Sequence, residues 1–164
     1  MNLEQYLAYL DLFNARDYDG ILSHFHDDAE IAFAGLALRG HQAVRDFYSF
    51  FHAHVDETIS LSRFLSDDDT VALEATVRLE ARHDLTADML AAKGLERLVA
   101  LERGDVVEMR QFIHYQVVDG RFSRADCAVL EPVGRIIPAW PNNRAGAGSP
   151  MRNRRSGVAQ MARN

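Results

Sequence analysis

The chain holds one cysteine, Cys127, among 164 residues, so no disulfide can close within it and nothing calls for an oxidising compartment. It lacks any apolar run approaching the roughly 20 residues that a helix needs to cross a bilayer. From Met1 to Phe13 apolar and polar residues alternate at helical spacing, where a secretory signal would have a basic start and an unbroken apolar stretch. There is no Gly-rich phosphate loop, no Gly-x-Ser-x-Gly and no Cys-x-x-Cys, which leaves nucleotide binding, the hydrolase nucleophile elbow and thiol redox chemistry without a starting residue. The expectation is a cytoplasmic protein with no membrane partner and no organic cofactor.

Positive charge is scarce outside the C-terminus. The net charge of −6 divides into +5 for residues 142–164, with five arginines and no acid or lysine, and −11 for residues 1–141. An acidic body repels phosphate backbones, so no nucleic-acid partner is expected. A hydrophobic fraction of 48% and a charged fraction of 26% are ordinary for one globular domain of this length. That domain is expected over residues 1–141. Residues 142–164 have too few large apolar side chains to offset the entropy of ordering and are expected to form a disordered Arg-rich tail.

Leu3, Tyr6, Leu7, Leu10 and Phe13 recur at helical spacing and predict a first helix. Asp17 is placed to cap a second helix through Phe25, Ala29 to Ala34 reads as a short strand, and Ala43, Val44, Phe47, Tyr48 and Phe51 mark a third helix. From Glu57 the period becomes two. The strands on either side of Asp67-Asp68-Asp69 make a hairpin, in which Val71, Leu73, Ala75, Val77 and Leu79 share one face. Residues 84–104, helical around Ala87 to Lys93, interrupt this pattern as an insertion. A last hairpin turns at Asp119-Gly120, between Val106–Val118 and Arg121–Leu130. The pattern predicts an α+β fold: a cone-shaped, curved antiparallel sheet with three N-terminal helices on its concave face and a ligand pocket inside.

If Val118 pairs with Arg121 in that hairpin, His114 faces Ala125, and Phe112, His114, Gln116, Cys127 and Val129 share the inner face. Gln111, Tyr115, Arg124 and Asp126 then lie outside. A one-residue slip would exchange Asp126 for His114.

The phrases Tyr9-Leu10-Asp11-Leu12, Asp17, Phe25, Asp27-Asp28-Ala29, Gly40 and Phe47-Tyr48 resemble ketosteroid isomerases of the NTF2-like superfamily. The likeness covers roughly residues 3–54. It resumes over Phe112 to Leu130, whose Asp-Gly-Arg turn resembles SnoaL-like proteins. The resemblance implies the oxyanion-donating tyrosine at Tyr9, puts Phe33 where those isomerases carry a base Asp, and puts His114 where they carry a protonated Asp.

Two readings follow. In the first the chain is an isomerase, cyclase or dehydratase acting on a small hydrophobic carbonyl compound, with His114 and Tyr9 as catalytic residues. Phe13, Phe33, Phe47, Phe112, Gln116 and Cys127 would then shape the substrate pocket. In the second the pocket binds an apolar ligand without turnover, or serves protein association. The pairs His24/His26 and His52/His54 are spaced two apart, which on a helix points them in different directions, so no metal site is expected. NTF2-like proteins commonly dimerise through outer sheet faces, which implies a homodimer here. Trp140 would cover either the pocket mouth or a partner subunit.

Overall fold

The computed structural model describes residues 1–132. Helix α1 (Leu3–Ala15) begins at a reciprocal cap: the Gln5 amide N–H donates to the Asn2 side chain and the Asn2 amide N–H to the Gln5 side chain, both at 2.9 Å. It ends at Arg16 in the left-handed conformation. Its buried stripe is Tyr6, Tyr9, Leu10 and Phe13, rotated from the expected one so that Leu3 and Leu7 stay exposed. Asp17 caps α2 (Tyr18–Ser23) by accepting from the Gly20 amide at 3.0 Å. The chain turns into strand β1 (Phe25–Phe33) directly after α2. The two-residue turn at Ala34-Gly35, both at positive φ, leads into β2 (Leu36–Arg39), a strand too short to register in the sequence pattern. Helix α3 (Gly40–His52) follows.

The hairpin of β3 (Val55–Ser66) and β4 (Thr70–Ala81) is joined by way of a loop carrying the five-residue α4 (Ala87–Ala91) to the hairpin of β5 (Val106–Val118) and β6 (Arg121–Pro132). All six strands form one curved sheet in the order β2-β1-β6-β5-β4-β3. The sheet is mixed, where an antiparallel one was expected, because β1 pairs with β6 in parallel. Hairpins force antiparallel pairing on their own strands only. β1 and β6 are joined through most of the chain, long enough for the crossover that a parallel pair requires.

The last hairpin departs from the expectation in a way that matters for the site. Val118 does face Arg121, but the register shifts after Val117↔Phe122, and the next pair is Gln116↔Arg124. Ser123 is the extra residue of a β-bulge. One inserted residue moves the β6 partners from Arg124 to Val129 by one, so Ala125 faces Tyr115, Cys127 faces Ile113, and Asp126 faces His114. The inner face of β5 is therefore Gln111, Ile113, Tyr115 and Val117, while Phe112, His114 and Gln116 are exposed on the outer face.

Two apolar clusters fill the inside. The first joins α1, α2 and β1 to the middle of the sheet, with Tyr6, Tyr9, Phe25, Tyr115 and Phe122 at its centre. The second joins the end of α3 to the inserted loop through Phe47, Phe51, Leu85, Leu90, Leu95 and Leu101. The loop is tied at its base by paired backbone hydrogen bonds between Leu85 and Leu101, at 2.8 and 3.0 Å.

Candidate functional site

A cavity of about 550 Å³ lies between the helices and the concave face of the sheet. Its sheet wall follows from the register. Across the strands, Glu57 lies beside Leu79 and Val107, Ile59 beside Val77 and Met109, and Ile113 beside Cys127 and Phe33. The helices contribute Tyr9 and Phe13 from α1 and Phe47, Tyr48 and Phe51 from α3, and the inserted loop adds Leu98, Val99 and Leu101. This wall is largely hydrocarbon, and its polar side chains are Glu57, Gln111, Cys127 and the phenols Tyr9, Tyr48 and Tyr115.

Burial holds these phenols neutral. Desolvation raises Tyr9, Tyr48 and Tyr115 above the ordinary tyrosine range, and the negative charge of Glu57 adds to the effect at Tyr9 and Tyr48. The rings of Tyr6 and Tyr9 pack on that of Tyr115, with centroids 5.9 and 6.3 Å away. The same burial pushes the Cys127 thiol up to about 12, so at neutral pH it is a protonated, unreactive wall group.

Glu57 is held from behind. His52, whose side chain is 2% exposed, sets Nε2 at 3.2 Å from Glu57 Oε2, and its Nδ1 lies 3.1 Å from the Tyr18 hydroxyl. A carboxylate has no proton to give, so Nε2–H donates to Glu57, while the Tyr18 hydroxyl lies beside Nδ1 and within 3.4 Å of the Tyr48 carbonyl oxygen, to which it donates. Phe13 and Tyr48 pack edge-on and tilted against the imidazole. The result is a carboxylate on the cavity wall, fixed by a buried histidine that a tyrosine fixes in turn. Such an assembly can accept a proton from a bound molecule while neighbouring phenols donate to it. Among the described residues, no group of three or more His, Cys, Asp or Glu side chains is placed to hold a metal ion.

Of the residues singled out in the sequence, Tyr9, Phe13, Phe33, Phe47 and Cys127 stand on the cavity wall, with Phe33 and Phe47 packed ring to ring at 5.1 Å. Phe112, His114 and Gln116 do not. The Ser123 bulge turns them to the outer surface, where His114 lies opposite Asp126. Asp126 does not replace His114 inside, because Arg124 holds it in a two-pronged pair at 2.7 and 2.8 Å on the outer face and lowers its pKa. Tyr115 and Gln111, expected outside, are inside. Glu57, His52 and Tyr48 were not anticipated as site residues at all, and Glu57 carried a signal. It is an acid on the face of β3 that also carries Ile59 and Leu61, where a half-buried strand should be apolar. Trp140 and the tail beyond Asn142 lie outside the described residues.

Helices covering one face of a strongly curved mixed sheet around an internal cavity define the NTF2-like α+β class. Within it the chain belongs to the SnoaL-like domain family, whose model matches residues 6–125. No curated protein matches the chain. Among solved structures it is similar to a putative polyketide cyclase from Xanthomonas campestris pv. campestris, at 18% identity and a TM-score of 0.61 over 74% of this chain and 84% of that one. It is similar to a Mycobacterium tuberculosis protein in complex with estradiol-17beta-hemisuccinate, at 19% identity and a TM-score of 0.56 over 76% and 90% of the two chains. It is also similar to TerC co-crystallised with polyporic acid, at 19% identity and a TM-score of 0.58 over 77% and 89%. At these identities the likeness is one of fold.

Proposed function

We propose that the cavity takes a small hydrophobic carbonyl compound and moves a proton on it, in an isomerase, cyclase or dehydratase reaction with Glu57 as the base. The observation that carries this reading is the carboxylate of Glu57 on a mostly apolar cavity wall, fixed by His52 at 3.2 Å. A carbonyl group placed against a phenol of Tyr9 or Tyr48 has a more acidic α-carbon. Glu57 takes that proton, the enolate oxygen is stabilised by the phenol O–H, and the protonated carboxyl returns the proton at the same or another carbon. Because the phenols stay protonated well above neutral pH, they act as hydrogen-bond donors throughout and not as bases. His52 and Tyr18 are positioning residues in this scheme. The polyporic acid and estradiol-17beta-hemisuccinate bound by the similar structures support the ligand size.

Thermal-shift screening against neutral polycyclic ketones finds compounds that bind, since a ligand raises Tm by mass action whether or not it turns over. Deuterium uptake at the α-carbon of such a ketone in D2O then tests the chemistry. Wild-type protein should catalyse exchange and Glu57→Gln should lose it by at least about a hundredfold, the scale of a removed general base. Exchange that is equal in both, or absent from both, would leave the second reading, a binding module without turnover.

Two further expectations belong to this proposal. The lone cysteine suits a reducing, cytoplasmic location. The outer sheet face, with Glu74 paired to Arg110 and Arg124 to Glu30 and Asp126, is the surface through which we expect two copies to meet. A monomeric mass by light scattering would refute the dimer.

A further inference from the structure

We propose that the cavity excludes anions: its ligand is an uncharged hydrophobic molecule, selected against carboxylate or sulfonate analogues by Glu57. Among the described residues lining the cavity, Glu57 is the one carboxylate, and no Lys, Arg or His lines it. The phenols and the thiol around it are held neutral by burial. His52 lies behind Glu57 and does not line the cavity, so its ring nitrogens do not meet a ligand. Arg97, next to the wall residue Leu98 in the inserted loop, is exposed and lies over Gly35 on the β1–β2 turn. An anion entering the cavity would therefore lose its water, gain no cation and meet a carboxylate. At an effective dielectric of about 20, two like charges some 6 Å apart repel strongly enough to change affinity on the order of a hundredfold. The acidic body, −11 over residues 1–141, adds a repulsion of the same sign at long range.

This inference rests on the cavity being the ligand site and not on any turnover, so a dye-binding experiment separates it from the exchange test above. The probes are N-phenyl-1-naphthylamine, which is uncharged, and 8-anilinonaphthalene-1-sulfonate, a near-isostere that carries one negative charge. Fluorescence titration of the wild-type protein should give at least a tenfold preference for the uncharged dye. In Glu57→Gln, checked for folding by circular dichroism, affinity for the sulfonate relative to the amine should rise at least tenfold. If Glu57→Gln does not fold, the wild-type preference alone decides. Equal binding of the two dyes, binding of neither, or a preference unchanged in folded Glu57→Gln would overturn the proposal.

Discussion

The two apolar clusters share one cavity but are built from different chemistry. The first is aromatic and hydroxylated: Tyr115 and Phe122 stack at 4.3 Å, Tyr9 meets Phe122 edge-on at 5.2 Å, and Tyr6 packs against Tyr9 at 5.6 Å and Tyr115 at 5.9 Å. The second is mostly aliphatic. Leu85, Leu90, Leu95 and Leu101 close it from a loop interrupting the strand sequence, and it contributes no buried hydroxyl. Tyr48 packs on both clusters, and Glu57, paired across the strands with Leu79 of the second, acts electrostatically on Tyr9 and Tyr48. The difference teaches a division of labour. The phenols belong to helices and a central strand, the Glu57 carboxylate to the edge strand β3, and the cavity's other wall to the loop between β4 and β5.

If that division is right, the largest effects on stability should come from the first cluster. Phe122→Ala removes a fully buried ring that touches Tyr9, Phe25 and Tyr115, and should cost about 3–5 kcal/mol in urea unfolding. Leu90→Ala, equally buried but in the loop, should cost about 2 kcal/mol. Equal or reversed costs would break the comparison.

Alkaline pH should weaken the first cluster next. Below pH 9 the folded and unfolded chains both keep the Cys127 proton. Between the ordinary 9.0 and about 12 the unfolded chain releases a proton that the folded chain retains, so stability falls as pH rises. Buried Tyr9, Tyr48 and Tyr115 add to this above their ordinary 10.0. A urea midpoint that is flat between pH 9 and 11 would contradict the burial of these groups.

Leu98→Trp probes the loop wall. It should weaken ligands that fill the cavity by about tenfold, leave small ligands within about threefold, and change stability by less than about 1 kcal/mol, since Leu98 is only half-buried. The smallest effect is expected from His114→Ala. On the exposed outer face it should change stability by less than about 0.5 kcal/mol and leave ligand binding unaltered. A loss of binding there would return His114 to the site.

Much of this fold was legible in periodicity. The alternation of Val71, Leu73, Ala75, Val77 and Leu79 set the inner face of β4, and the Asp119-Gly120 turn set the end of the last hairpin. The site was less legible because one residue, Ser123, decides which half of β5 faces inward, and a bulge has no periodic signature. Another signal in β5 was available. Val107, Met109, Ile113, Tyr115 and Val117 form the more apolar alternate set, and counting them would have outweighed the hairpin register. Nothing in the spacing joins Tyr18, His52 and Glu57. The contact is made by three elements meeting, and a histidine at the end of a helix reads the same buried or exposed.

The central claim is that Glu57 and the phenols form the reactive side of the cavity, and a crystal structure with a bound ketone from the thermal-shift screen tests it most directly. The account predicts the carbonyl oxygen at about 2.7 Å from the hydroxyl of Tyr9 or Tyr48, with the Glu57 carboxylate facing the α-carbon and the hydrocarbon end of the ligand against Leu98 and Val99. A carbonyl oxygen turned toward Leu98 and Val99, with hydrocarbon packed on Glu57, would contradict it.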